Sequence, residues 1–233
     1  MSAQILSELN PKEVFTWFEK ICNIPHGSRN TKEISDFVVD FAKKRGLKYY
    51  QDSTNNVIIS KPAQPDGTRG KTDCVILQGH LDMVCEKEED CDIDFYKEGL
   101  RLLIEEGYVT ADGTTLGGDD GIAVAYMLAI LDSSDIPHPD LECIFTVDEE
   151  IGMLGAAALD MSKIKGRKLL NIDSEEEGHL LVSCAGGATV KLHIPVKRRG
   201  AQGDRYRLIV SGLLGGHSGI EINKGRANAD IIL

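Results

Sequence analysis

The run Cys74-Val75-Ile76-Leu77-Gln78 is short, almost wholly apolar, and breaks off into Gly79-His80-Leu81-Asp82. A run of that kind reads as a buried β-strand. Leu141-Glu142-Cys143-Ile144-Phe145-Thr146-Val147 and Leu169-Leu170-Asn171-Ile172 have the same texture. Between the first and second of these strands, Asp120 to Leu131 is an Ala- and Leu-rich helix. Two amphipathic helices precede the set. Val14, Phe15, Trp17, Phe18 and Ile21 share a face behind Asn10-Pro11-Lys12-Glu13, where Asn10 is placed to cap and Pro11 suits the first helical position. Ile34, Phe37, Val38, Phe41 and Ala42 share a second face after Asn30-Thr31, and Lys43 to Gly46 closes it. Tyr49 to Asp52 and Asn56 to Ser60 predict a hairpin, Pro62 to Lys71 a polar loop, and Arg101 to Thr115 a small excursion of β character. Strands alternating with helices predict an α/β fold: a mixed, mostly parallel sheet with helices on both faces.

After Cys184-Ala185-Gly186-Gly187 the texture changes. Thr189 to Val196 and Tyr206 to Ser211 alternate like half-exposed antiparallel strands around the basic turn Lys197-Arg198-Arg199-Gly200. A helix is expected from near Gly225 into Leu233. The pattern predicts one domain over residues 1–186 and the beginning of a second over 187–233. There is no internal repeat and no low-complexity segment.

Composition narrows the function classes. The chain has 233 residues with 37 acidic and 26 basic side chains, a formal net charge of −11. That balance excludes an electrostatic nucleic-acid binder and a polybasic membrane contact, both of which need surplus Lys and Arg. The longest apolar run, Ile122 to Leu131, is about half of what a membrane span needs. The start, MSAQILSELNPKEVF, lacks the basic and apolar regions of a signal peptide. Cys22, Cys74, Cys85, Cys91, Cys143 and Cys184 are scattered without a CxxC pair, which reads as free thiols in a reducing compartment. The expectation is a soluble cytoplasmic protein.

Ligands of open α/β sheets gather outside the carboxyl ends of the strands. The first strand is followed by His80 and Asp82, the second by Asp148-Glu149-Glu150, and the third by Asp173-Ser174-Glu175-Glu176-Glu177. The Ala-rich helix is introduced by Thr115-Leu116-Gly117-Gly118-Asp119-Asp120-Gly121. Distant segments therefore bring His and carboxylates to one rim. Buried carboxylates repel one another unless a cation offsets them, and desolvating one costs several kcal/mol. A His and carboxylate set without Cys suits catalytic zinc, cobalt or manganese. In His80-x-Asp82 the carboxylate is placed to accept the other imidazole N–H. Glu149 and Glu150, adjacent at a strand end, are expected to point apart, one towards metal and one towards a proton. Glu175 to Glu177 read as a solvated acidic run, and Asp119-Asp120 on its own reads equally as a helix cap.

These motifs resemble the aminoacyl-histidine dipeptidases, or cytosol non-specific dipeptidases, of the co-catalytic zinc metallopeptidase family. The matching stretches include Ile24-Pro25-His26, Gly79-His80-Leu81-Asp82-Met83-Val84, Thr114 to Ile122, Glu149-Glu150-Ile151-Gly152-Met153, Asn171 to Gly178, Gly215-Gly216-His217-Ser218-Gly219 and Asn223 to Ala229. The resemblance implies a zinc-peptidase-like sheet followed by the start of an α+β lid and dimerisation domain. It implies two divalent ions, zinc first and cobalt or manganese as alternatives. His80, Asp119 and Asp173 would be ligands of one ion, with Asp119 bridging to a second held by Glu150. Asp82 would orient His80, Glu149 would be the general base, and His217 of the lid would stabilise the oxyanion or the substrate carboxylate. The peptide bond between Asp119 and Asp120 would be cis. The substrate implied is a dipeptide, Xaa-His among others, and the longer relative a homodimer. His26, His138, His179 and His193 are read as structural or surface residues.

Family members take another second-metal histidine from a later part of a longer chain. That leaves an alternative expectation, an inactive fragment or a binding and dimerisation module. A third keeps the centre and changes the substrate to N-acyl amino acids or longer peptides.

Overall fold

The computed structural model describes residues 5–64, 73–174, 177–184, 186, 188, 190–200, 202–216 and 221–233. They divide into two compact units, Met1–His179 and Leu180–Leu233.

The first unit is built on a mixed sheet in the order β1-β2-β6-β3-β7. Its strands are β1 (Lys48–Gln51), β2 (Val57–Lys61), β3 (Val75–His80), β6 (Leu141–Thr146) and β7 (Lys168–Asn171). A separate hairpin, β4 (Leu102–Glu105) and β5 (Tyr108–Ala111), supplies the expected β excursion. β6, β3 and β7 run parallel, and β1 and β2 form the expected antiparallel hairpin on the far side of β6.

Helices α1 (Lys12–Cys22), α2 (Lys32–Lys44) and α3 (Gly118–Asp132) share one core with Val57, Ile59, Leu77, Cys143 and Phe145 of the sheet. The opposite face carries a smaller cluster of Ile58, Ile76 and Ile144 with Ile164, joined by Tyr50 and Leu159. This alternation follows the two-residue period of a strand: Ile58 and Ile144 face away from Ile59 and Phe145. Short helix α4 (Leu154–Ala158) lies between β6 and β7. α3 is apolar around its circumference, with Ala123, Val124, Ala125, Met127, Leu128 and Leu131 all buried. Helices of that kind occupy interiors rather than surfaces.

The ends of the elements differ from expectation in instructive ways. α1 begins at Lys12, so Pro11 and not Asn10 stands at the cap, and no side chain caps the helix because proline has no acceptor to offer. In the second unit, no strand forms among the described residues of 189–196 and 206–211. Val190, Leu192, Ile194 and Val196 are each at least 70% exposed. Alternation makes a strand only when a neighbour satisfies the amides and a layer covers the apolar face. The expected helix from Gly225 is confined to α5 (Ala229–Ile232). Gly225, with φ of 65°, ends a short 3-10 turn at Ile222–Lys224, and the Asn228 side chain caps α5 by accepting from the Asp230 amide at 2.8 Å. Among the described residues no helix is long and apolar enough to cross a membrane, and all six cysteines are free thiols.

Phe145 is fully buried at the centre of the main core. Phe145→Ala is expected to lower unfolding stability by about 3–5 kcal/mol in urea titration, whereas Tyr108→Ala, exposed on the hairpin, changes it by under about 0.5 kcal/mol.

Candidate metal centre

Polar cross-strand bonds align the carboxyl ends of β3, β6 and β7. The Gln78 side chain donates to Thr146 Oγ1 at 3.1 Å and accepts from Asn171 Nδ2 at 2.5 Å. Its main-chain carbonyl accepts from the Ile172 amide at 3.1 Å, one residue before Asp173. Thr146 stands opposite His80 in the ladder. The rim of the sheet is thus pinned one step below the residues that project from it.

His80 ends β3 and is buried. Its Nδ1 lies 2.9 Å from the main-chain carbonyl of Asp82 and 3.5 Å from that residue's Oδ1. A carbonyl only accepts, so Nδ1 carries the proton and Nε2 is the nitrogen left to face the centre. Nε2 lies 3.1 Å from Asp119 Oδ1 and 3.9 Å from Glu149 Oε2.

Asp119 and Asp120 open α3 with non-helical backbone angles and a cis peptide bond between them, as the motif resemblance implied. The two side chains part company. Asp119 is 47% exposed and reaches the imidazole, while Asp120 is buried and accepts the His80 amide at 2.9 Å. Gly79 makes this possible: a Cβ there would lie 2.6 Å from Asp120 Oδ2.

The Asp82 carboxylate is buried, and both oxygens are used. Oδ1 accepts the Glu149 amide at 3.0 Å, while Oδ2 accepts the Ser28 hydroxyl at 2.8 Å and the Glu150 amide at 3.4 Å. Glu149 and Glu150 do not sit on β6, which ends at Thr146; they lie in a turn behind Asp148, whose φ is 54°. Strand divergence therefore does not apply. Both carboxylates come, with a His80 nitrogen, within 4.8 Å of one another. His80, Asp119 and Asp173 form a second such group.

His217 lies outside the described residues, as do Glu175 and Glu176. Glu177, His179 and His193 are exposed, and His26 and His138 are buried against main-chain carbonyls. Sequence reasoning missed Ser28 altogether. A serine in an Ile-Pro-His-Gly-Ser loop carries no metal pattern, and only the fold brings it to a residue 54 positions away.

The charges are unbalanced without a cation. Burial raises both Glu149 and Glu150, and neighbouring acidic groups add to it. Burial pushes Asp120 up to about 8. Burial opposes the charged form of His80, but its bonds to Asp119 and Asp82 outweigh this and hold it at about 11. One imidazole nitrogen facing several carboxylate oxygens is a hard, anion-rich donor set of the kind that takes a divalent metal.

A model of peptidase family M20/M25/M40 matches residues 76–222. The chain belongs to this family. It is 40% identical over 230 residues to the cytosol non-specific dipeptidase of Escherichia coli (strain K12), covering 98% of this chain and 47% of that one. The crystal structure of aminoacylhistidine dipeptidase from Vibrio alginolyticus superposes with a TM-score of 0.76 at 39% identity, over 97% of this chain and 46% of that chain. Aminopeptidase PepT from Bacillus cereus ATCC 10987 gives 0.59 at 27% identity, over 75% of this chain and 45% of that one. The chain spans about half the length of the relatives named first. The similarity agrees with the family read from the motifs.

For this M20/M25/M40 chain the protonation pattern makes a signed prediction. Metal must displace the proton that His80 holds up to about 11. Divalent-metal affinity measured by calorimetry should therefore rise between pH 6.5 and 8.5, by up to about tenfold per unit, with protons released to buffer. The metal-free chain should behave oppositely: stability from the charged imidazole is complete below about pH 6.5 and is lost as pH climbs towards 11.

Proposed function

We propose that this chain carries the metal centre of a dipeptidase that hydrolyses dipeptides, Xaa-His among them. The observation that carries the reading is the pair of donor groups, His80-Asp119-Asp173 and His80-Glu149-Glu150, joined at one buried imidazole. His80, Asp119 and Asp173 would hold one divalent ion, and Asp119 with Glu150 a second; zinc fits first, cobalt or manganese next. Bound there, such ions supply Lewis-acid polarisation of the scissile carbonyl and lower the pKa of water.

The chain's own residues do the rest. Glu149 takes a proton from the attacking water and delivers it to the leaving amine. Burial, which raises its carboxyl, strengthens it as a base. It is held on site by its own amide, which donates to Asp82 at 3.0 Å. Asp82 also backs His80, and its main-chain carbonyl fixes the imidazole tautomer. We assign His217 to the substrate's developing negative charge. The relatives' printed names support a dipeptide substrate and a cytosolic setting, and the family resemblance supports a homodimer.

The test is hydrolysis of a panel of dipeptides and N-acyl amino acids by the purified chain with zinc, cobalt or manganese. Dipeptides should be cleaved, and chelation should stop the reaction. Glu149→Gln should lower kcat by about 10²–10⁴ with metal content unchanged. Near wild-type turnover in that variant would remove Glu149 from the role of base. Metal binding with every compound left intact would favour the binding-module reading instead.

A further inference from the structure

The loop between α1 and α2 approaches the centre from outside the sheet. Gly27 bridges to Met83 in parallel, the Met83 amide donates to the His26 carbonyl at 3.2 Å, and the Ser28 amide donates to the Met83 carbonyl at 3.3 Å. The approach is tight: a Cβ on Gly27 would lie 2.5 Å from Cys85 Sγ. From this register Ser28 Oγ donates to Asp82 Oδ2 at 2.8 Å. The next residue, Arg29, adopts φ of 67° and its amide donates to Asp148 Oδ1 at 2.6 Å. Asp148 is itself left-handed, with φ of 54°. Non-glycine residues in that region persist only where their surroundings hold them. Two adjacent residues of one loop thus reach the segment that presents Glu149 and Glu150, Arg29 directly at Asp148 and Ser28 through Asp82.

We propose that Ser28 is a positioning residue for the metal centre, acting through Asp82 on the Glu149–Glu150 turn. Asp82 Oδ2 has two partners, the Ser28 hydroxyl at 2.8 Å and the Glu150 amide at 3.4 Å. The hydroxyl bond is the shorter and fixes the rotation of the carboxylate. That rotation decides whether Oδ1 meets the Glu149 amide and whether Oδ2 stays in reach of Glu150. Without the hydroxyl, Oδ2 keeps the longer bond from the Glu150 amide while Oδ1 keeps the Glu149 amide, so the carboxylate that seats both glutamates is held less firmly. Partners that orient metal-site groups from behind typically alter affinity by about 10–100-fold when removed. The proposal rests on the reading of this cluster as a metal centre.

The experiment measures Co²⁺ binding to the purified chain by its visible d–d absorption and by calorimetry, for wild type, Ser28→Ala and Ser28→Thr. Ser28→Ala should weaken binding about tenfold and change the cobalt band, with the metal-free melting temperature within about 2 °C of wild type. Ser28→Thr, which keeps the hydroxyl, should restore both affinity and spectrum. Equal affinity and an unchanged band in Ser28→Ala would overturn the role of Ser28 while leaving the metal centre intact. A threonine variant as weak as the alanine one would overturn it too, because the hydroxyl would then not be the operative group. Wild-type chain that binds no cobalt, or binds it equally after His80→Ala, would overturn the metal centre itself and this inference with it.

Discussion

Carboxylates crowd around one buried imidazole, and the rest of the structure answers to their repulsion. Two unit charges about 4 Å apart repel by about 4 kcal/mol at the effective dielectric of a protein surface, and by more where water is excluded. Asp119 Oδ1 and Glu149 Oε2 lie 3.1 and 3.9 Å from His80 Nε2, so both acids face the same imidazole nitrogen. A chain would not gather such groups for stability alone. Holding them together requires a rigid rim and hydrogen bonds behind the cluster.

The fold supplies both. Buried Leu77 and Phe145 anchor neighbouring parallel strands in the core beneath α3. Gln78, Thr146 and Asn171 link the same strands just below the rim. Main-chain amides then hold two of the acids from behind: His80 N–H serves Asp120, and the amides of Glu149 and Glu150 serve the Asp82 carboxylate. A hydrogen bond to a carboxylate is about twice as strong as one between neutral groups. The centre is therefore held from behind by dipoles, and its open side keeps the uncompensated charge that a metal would take.

The strands, the apolar helix and the order in which acidic residues follow each strand could be read from period and composition, because burial dictates those patterns directly. The candidate rim residues could be picked out for the same reason: His80, Glu149, Glu150 and Asp173 stand at or just past the ends of recognisable strands, and Asp119 opens the apolar helix. Ser28 was not, since its role comes from a contact across 54 residues that no local pattern encodes. Glu149 and Glu150 lie beyond the end of β6, so strand alternation does not set the direction of their side chains. The expected strands around Lys197-Arg198-Arg199-Gly200 failed for a related cause. Alternation describes which residues would be covered, but pairing needs a neighbour, and the described residues around that turn provide none.

The adjacent pair Asp119 and Asp120 shows how burial, and not residue type, divides the work. Both are aspartates at the start of one helix. Asp120 is sealed against Gly79, pushed up to about 8, and spends its oxygen on a main-chain amide. Asp119 stays half in water and keeps an oxygen on the imidazole edge that faces the centre. The glutamate pair works differently. Glu149 and Glu150 are both partly buried and both raised, and their amides, not their carboxylates, are tied to Asp82. Their carboxylates thus reach the centre from a fixed backbone. An aspartate pair split by burial and a glutamate pair anchored by amides converge on the same histidine, Asp120 at its main-chain amide and Asp119 at its imidazole.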